Sequence, residues 1–243
     1  SGHSHNSGRM AAVQLNLGSL FNSGQISGDS LHLGATANQG QIGGQDIAIS
    51  GGLDNSGTLG ASGLLQIDGG HVNNSGDLSG ETVTIQAGML SNGGRLRAAG
   101  NMQLTLADLN NNLTESRRCV AAPEICAQLP DTRPLTDDDY RWSQTPGEIA
   151  AGGNLQISAA SLTNQGIVRS GGNFTASLTG AFQNQRSHND LYTDAQYGQP
   201  APAASSGILE VGGNLTLNAA SLDNSGALLA AGDITLESLG DFS

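Results

Sequence analysis

The sequence predicts an all-β chain coiled as a parallel β-helix of about ten rungs with two extrahelical loop insertions. Three observations support this. A unit of 16 to 20 residues keeps returning, apolar residues alternate with polar ones inside it, and proline is confined to two interruptions.

The unit reads aliphatic, any residue, Asn, any residue, Gly, any residue, aliphatic. It runs from Leu20 to Ile26, Leu53 to Leu59, Val72 to Leu78, Leu90 to Leu96, Leu162 to Val168 and Leu222 to Leu228, with a weaker copy from Thr36 to Ile42. The marker asparagines are Asn22, Asn38, Asn55, Asn74, Asn92, Asn111, Asn164, Asn184 and Asn224, at spacings of 16, 17, 19, 18, 19, 53, 20 and 40. The copies before the two long gaps carry Leu113 and Arg186 where glycine is expected. Arg95 to Met102 matches Glu148 to Leu155 and again Ile208 to Leu215. Aligning these halves leaves 34 and 21 extra residues, so 53 − 34 = 19 and 40 − 21 = 19. The period survives both interruptions.

Within each unit the pattern is apolar, polar, apolar, as in Leu31-His32-Leu33, Val83-Thr84-Ile85 and Leu215-Thr216-Leu217. Period two marks short half-buried strands. All six prolines fall in the insertions, because a strand that donates to neighbours on both sides has no place for one. A unit this short cannot bury its apolar side alone and must stack on its copies, each unit making one rung. The asparagines then form a file in which amides bond from rung to rung, set in a turn that tolerates left-handed geometry, and glycine supplies a further turn. An antiparallel sandwich with Asn-Gly hairpins would not keep a 19-residue register through two insertions. A leucine-rich solenoid would need a helical half that is absent.

The composition agrees: 36 glycines, only four Phe, three Tyr and one Trp, and a formal net charge of −12. All nine basic residues are Arg, and such a surface makes nucleic acid a poor partner. No apolar run approaches the roughly 20 residues that span a bilayer. Ser1 to Arg9 is polar and patternless and is expected to be a disordered lead-in or a vector-derived remnant. Residues 10–243 form one β-helix domain interrupted at 112–148 and 185–208.

Copies such as Leu162 to Gly166 (LTNQG), Ala151 to Leu155 (AGGNL) and Ala231 to Leu236 (AGDITL) resemble the filamentous haemagglutinin-like exoproteins of two-partner secretion systems, which include adhesins and contact-dependent growth inhibition proteins. The resemblance covers the chain from about Met10 onward, apart from the insertions. It implies a right-handed β-helical filament exported through an outer-membrane partner pore and displayed at the bacterial surface or secreted, without a cofactor. The family's Asn-Pro-Asn secretion motif and a toxin domain are not seen, which suggests an internal segment. The implied role is a structural stalk and display surface contributing to adhesion, target-cell contact or toxin delivery.

The Trp and all three Tyr lie in the insertions, with five of the nine arginines if Arg186 is counted. Arg117, Arg118, Arg133, Tyr140, Arg141, Trp142, Tyr192 and Tyr197 therefore form a candidate recognition surface for a receptor, protein or glycan, on a target or host cell. The alternative is that the loops fold back on the rod and the segment is a spacer. Both loops should leave one edge, one uninterrupted rung apart. Cys119 and Cys126, in the oxidising setting that the resemblance implies, should pair as a local disulfide. Asp137 to Asp139 lacks the spaced ligands of a calcium loop. A β-helical polysaccharide lyase or hydrolase would need carboxylates converging on one face, whereas Asp29, Asp46, Asp68 and Asp77 fall 7, 8, 13 and 3 residues after their asparagines. The chain is accordingly read as no enzyme, with no catalytic residue and no metal site.

Overall fold

The computed structural model describes residues 3–119, 121–127, 140–186, 207–238 and 240. Twenty-five strands form one continuous parallel system, and two more form an antiparallel pair outside it. The chain is a β-solenoid of about ten turns.

A rung has three sides, well seen in Ser161–Asn164, Ile167–Ser170 and Phe174–Leu178. Each side pairs in register with its counterpart one rung on: Ala181–Asn184, Ile208–Val211 and Leu215–Ala219. We call these the asparagine side, the second side and the third side. Alternation then does the sorting. In Leu155–Ala159, Leu155, Ile157 and Ala159 are buried while Gln156 and Ser158 face out. The inward residues stack in columns, one of which runs Leu53, Val72, Leu90, Leu109, Leu162, Phe182, Leu222, each at most 1% exposed. Burying each such side chain contributes roughly 1.5–3 kcal/mol before chain entropy is set against it.

One polar file runs through this interior. Ten asparagines, Asn6 and the nine markers, are joined by nine bonds of 2.7 to 2.9 Å from Nδ2 to the next Oδ1. The second proton of the amide finds a backbone carbonyl; for Asn55 it is Asp77 O at 3.2 Å. Asparagine backbone carbonyls are also used twice, as when Asn22 O accepts the N–H groups of Gln39 and Gly40 at 2.8 and 3.1 Å. The marker asparagines are the last residues of their strands, as in Leu53–Asn55, and do not occupy left-handed turns. As inward members of the strand alternation, the asparagines point their amides at one another. The glycine two places later is there for space: a Cβ on Gly94 would stand 2.1 Å from Gly76 O. Among the described glycines only Gly207, with φ of 63°, needs the left-handed region.

The chain joins the rod earlier than its pattern suggests. His3–Asn6 pairs with Ser19–Asn22, and Arg9–Ala11 pairs with residues of Gln25–Leu33. His3 Nδ1 lies 2.7 Å from Ser19 Oγ, and the His5 ring stacks on Phe21 at 5.2 Å. Residues 3–6 and 9–11 are thus paired strands, within and just beyond the stretch 1–9 for which a disordered lead-in was expected. Ladder bonds to the next rung and the Asn6 amide hold the segment without the aliphatic alternation that marks other rungs.

Replacing Asn92 by Ala leaves Asn111 Oδ1 without its donor and should lower unfolding stability by about 2 kcal/mol in guanidinium titrations, more than Asn224→Ala at the less buried end of the file. Gly94→Ala should be clearly destabilising in the same assay. Gly43→Ala, with nothing within 4 Å of the added methyl, should stay within about 0.5 kcal/mol of the parent.

Candidate contact surface at the loop-bearing rungs

The two insertions leave the rod at equivalent points. Asn111, Asn164 and Asn184 are register partners on successive rungs, and the chain departs one residue after the first and the last of them. The loop roots are thus two rungs apart, roughly 10 Å at ordinary strand spacing.

The glycine that both copies lack is supplied after the insertion. Gly147 and Gly207 occupy the glycine column: Ile167 N donates to Gly147 O at 2.8 Å and Ala227 N to Gly207 O at 2.8 Å, just as Arg95 N donates to Gly76 O at 2.8 Å. The marker amides reach them too, Asn111 Nδ2 to Gly147 O at 3.0 Å and Asn184 Nδ2 to Gly207 O at 2.8 Å. The insertions proper are therefore 113–146 and 186–206, which are 146 − 112 = 34 and 206 − 185 = 21 residues long. Asn112 O accepts Gly147 N–H at 2.7 Å and closes the first root.

From that root rises an antiparallel hairpin, Leu113–Cys119 against Tyr140–Pro146, in a register that sets Arg117 opposite Trp142, Arg118 opposite Arg141 and Cys119 opposite Tyr140. Beyond it, one helical turn, Pro123–Cys126, brings Cys126 back to Cys119 as a disulfide with Cα atoms 5.7 Å apart. The bond closes a short tip and ties no rung to another. Arg133, Tyr192 and Tyr197 lie outside the described residues. The backbone brings Arg117, Arg118, Tyr140, Arg141 and Trp142 onto one hairpin.

Two further features were missed in the sequence. A second file of polar residues caps the corner leading into the third side, where Asn101, Asn154, Asn173 and Asn214 each accept, through Oδ1, the backbone N–H of the next rung at 2.8 to 3.0 Å. Asp46 Oδ1 does the same for Leu64 N at 2.9 Å. The recurring Gly-Gly-Asn triplet was its signal, since a Cβ on Gly153 would stand 2.4 Å from Asn101 Oδ1. The other feature is a run of charges on the second side. Arg97 Nε donates to Glu148 Oε2 at 3.0 Å and its Nη2 donates to the same oxygen. Arg169 Nη1 donates to Glu148 Oε1 at 3.1 Å and Nε to Glu210 Oε2 at 2.9 Å. Partial burial would by itself raise the Glu148 carboxyl, but the hydrogen bond and charge of Arg97, then those of Arg169, outweigh it and hold its pKa below the ordinary value. Chiefly through its bond to Glu210, the Arg169 guanidinium is shifted up. Only register, invisible in the linear sequence, brings these four together.

Among the described residues, no group of three or more His, Cys, Asp or Glu is placed to hold a metal ion. No described helix is long and apolar enough to cross a membrane.

Comparison with known proteins agrees with this geometry. The family model described as "Haemagglutinin repeat" matches residues 10–57, 41–105, 150–194 and 202–243, leaving out the hairpin insertion. "Toxin CdiA" of Escherichia coli is 29% identical over 183 residues, covering 75% of this chain and 5% of that protein. "tRNA nuclease CdiA" of Escherichia coli (strain NC101) is 29% identical over 188 residues, covering 75% and 5%. "Deoxyribonuclease CdiA" of Dickeya dadantii (strain 3937) is 31% identical over 222 residues, covering 79% and 6%. The chain thus spans about one twentieth of the curated relatives it matches. No solved structure matches it. With repeat matches along both the early and the late rungs, this chain belongs to the haemagglutinin-repeat family.

Proposed function

We propose that the segment is a rigid spacer of a surface-exposed exoprotein that also presents a contact site, made by the hairpin insertion and its neighbour, to a protein or glycan on a target or host cell. The observation that carries this is the placement of two loops at equivalent corners two rungs apart, on a rod whose ladder is unbroken beneath them. A rod that served only for reach would gain nothing from 34 and 21 residues inserted at one corner. The disulfide constrains the short loop between Cys119 and Cys126, which lowers the entropy that this part of the insertion loses on binding. Arg, Tyr and Trp are the side chains that dominate contact energetics. Export through an outer-membrane pore and a part in toxin delivery belong to the same reading, by kinship with the CdiA relatives. The second reading, a plain spacer, draws support from the rest of the rod, where uniform rungs carry small polar outward residues.

Deleting 113–146 and 186–206 joins Asn112 to Gly147 and Gln185 to Gly207, restoring an ordinary Asn-x-Gly unit at both places. The shortened chain should keep its cooperative unfolding while losing most of its binding to target cells; undiminished binding would establish the plain spacer. Because the disulfide closes only the tip, Cys119→Ser with Cys126→Ser should leave the melting of the rod within a degree or two and hasten proteolytic cutting between residues 119 and 127.

A further inference from the structure

We propose that Arg97, Glu148, Arg169 and Glu210 form an inter-rung clasp whose task is to fix the register of the strands that return from the two insertions. Their order along the chain is the first reason. Arg97 lies on the last second-side strand before the first insertion, Glu148 on the first second-side strand after it, Arg169 on the last second-side strand before the second insertion and Glu210 on the first after that. Each insertion is therefore flanked by an arginine on its near side and a glutamate on its far side, at sequence separations of 51 and 41 residues. Arg169 also bonds Glu148, so the three rung-to-rung steps around the interruptions are joined in one chain of charge-assisted bonds.

The second reason is mechanical. In an ordinary rung two residues separate the marker asparagine from the next strand, and so short a connection leaves that strand little room to slide. Across the insertions 36 and 23 residues separate the marker from the returning strand, so the length of the connection no longer sets the register by itself and bonds between rungs must do so. A slip of two residues would keep the inward and outward faces correct and would meet little resistance from burial alone. Ion pairs resist it, because a slipped Glu148 or Glu210 loses its arginine. On the early, uninterrupted rungs the first of these columns runs Arg9, Gln25, Gln41, Thr58, Asp77 and the second Ala11, Ser27, Gly43, Gly60, Ser79, so no two successive members before Asp77 and Arg95 carry opposite charges. The pair between Asp77 and Arg95 on intervening rungs is looser, at 3.6 Å. Glu148, bracketed by two arginines, has a side chain only 18% exposed. The inference does not depend on the loops binding anything.

Amide hydrogen exchange read by mass spectrometry tests it. Arg169→Gln should speed exchange in Glu148–Ala151 and Ile208–Val211 about tenfold, leaving Asp77–Gly80 unchanged, and Arg95→Gln should have no such local effect. In the chain lacking 113–146 and 186–206 the connection is short again, so there Arg169→Gln should change exchange less than about twofold. Reversing all four charges (Arg97→Glu, Glu148→Arg, Arg169→Glu, Glu210→Arg) should restore slow exchange in the full chain, whereas reversing Arg97 and Arg169 alone should not. Equal acceleration with and without the insertions, or no recovery on full reversal, would overturn the clasp and reduce these charges to ordinary surface pairs.

Discussion

The rest of the structure depends on the amide ladder that passes through the asparagine file. Every rung of this rod has the same difficulty: its turn puts backbone and side-chain polar groups next to an aliphatic interior. Asparagine resolves it with one side chain that donates to the next Oδ1 and to a backbone carbonyl, while its Oδ1 accepts from the rung before, as at Asn92 with Asn74, Asn111 and the carbonyl of Glu148. Such a bond is geometrically exacting, so the file also dictates where each rung sits on the last. Aliphatic columns supply the larger share of stability but would tolerate a slide of two residues; the amides do not.

That constraint explains why the insertions are where they are. A loop can leave only where it breaks neither an aliphatic column nor the amide file, and the residue after the marker asparagine is such a place. The glycine column closes again immediately behind it through Gly147 and Gly207. Rungs on either side then continue as if uninterrupted, with Asn111 bonding Asn164 across 53 residues and Asn184 bonding Asn224 across 40. A fold of this kind separates its tasks: the rod sets spacing and direction, and whatever is specific can be carried by segments that the rod does not need.

Much of this was legible in the sequence because a solenoid writes its geometry periodically. The asparagine spacing gave the rung length, the Leu31-His32-Leu33 type of alternation gave strands, and the confinement of proline marked the interruptions. The parallel coil of about ten turns follows from these alone. What was not legible depends on contacts between distant residues. Residues 3–6 lack an aliphatic rhythm, yet they join the ladder through backbone bonds and Asn6, which no periodicity reports. The glycines of the two interrupted units are not legible in the sequence, because Gly147 and Gly207 stand 36 and 23 residues from the asparagines they serve. The charges of Arg97, Glu148, Arg169 and Glu210 look scattered until register aligns them. The asparagines close their strands instead of sitting in the turn that was expected for them, a difference of one position that composition alone does not report.

The central claim is that one asparagine-marked unit makes one rung and that stacking runs unbroken beneath both insertions. Gln66, Thr84, Gln103, Gln156, Thr175 and Thr216 are successive register partners on the outward third side, so Gln66 and Thr216 stand five rungs apart with both insertions between them in sequence. Spin labels on Gln66→Cys and Thr216→Cys, with distances read by pulsed electron resonance, should give a narrow distribution consistent with a backbone separation of about 24 Å. A distance longer by a rung or more, or a broad distribution, would show that the stack is broken where the loops emerge.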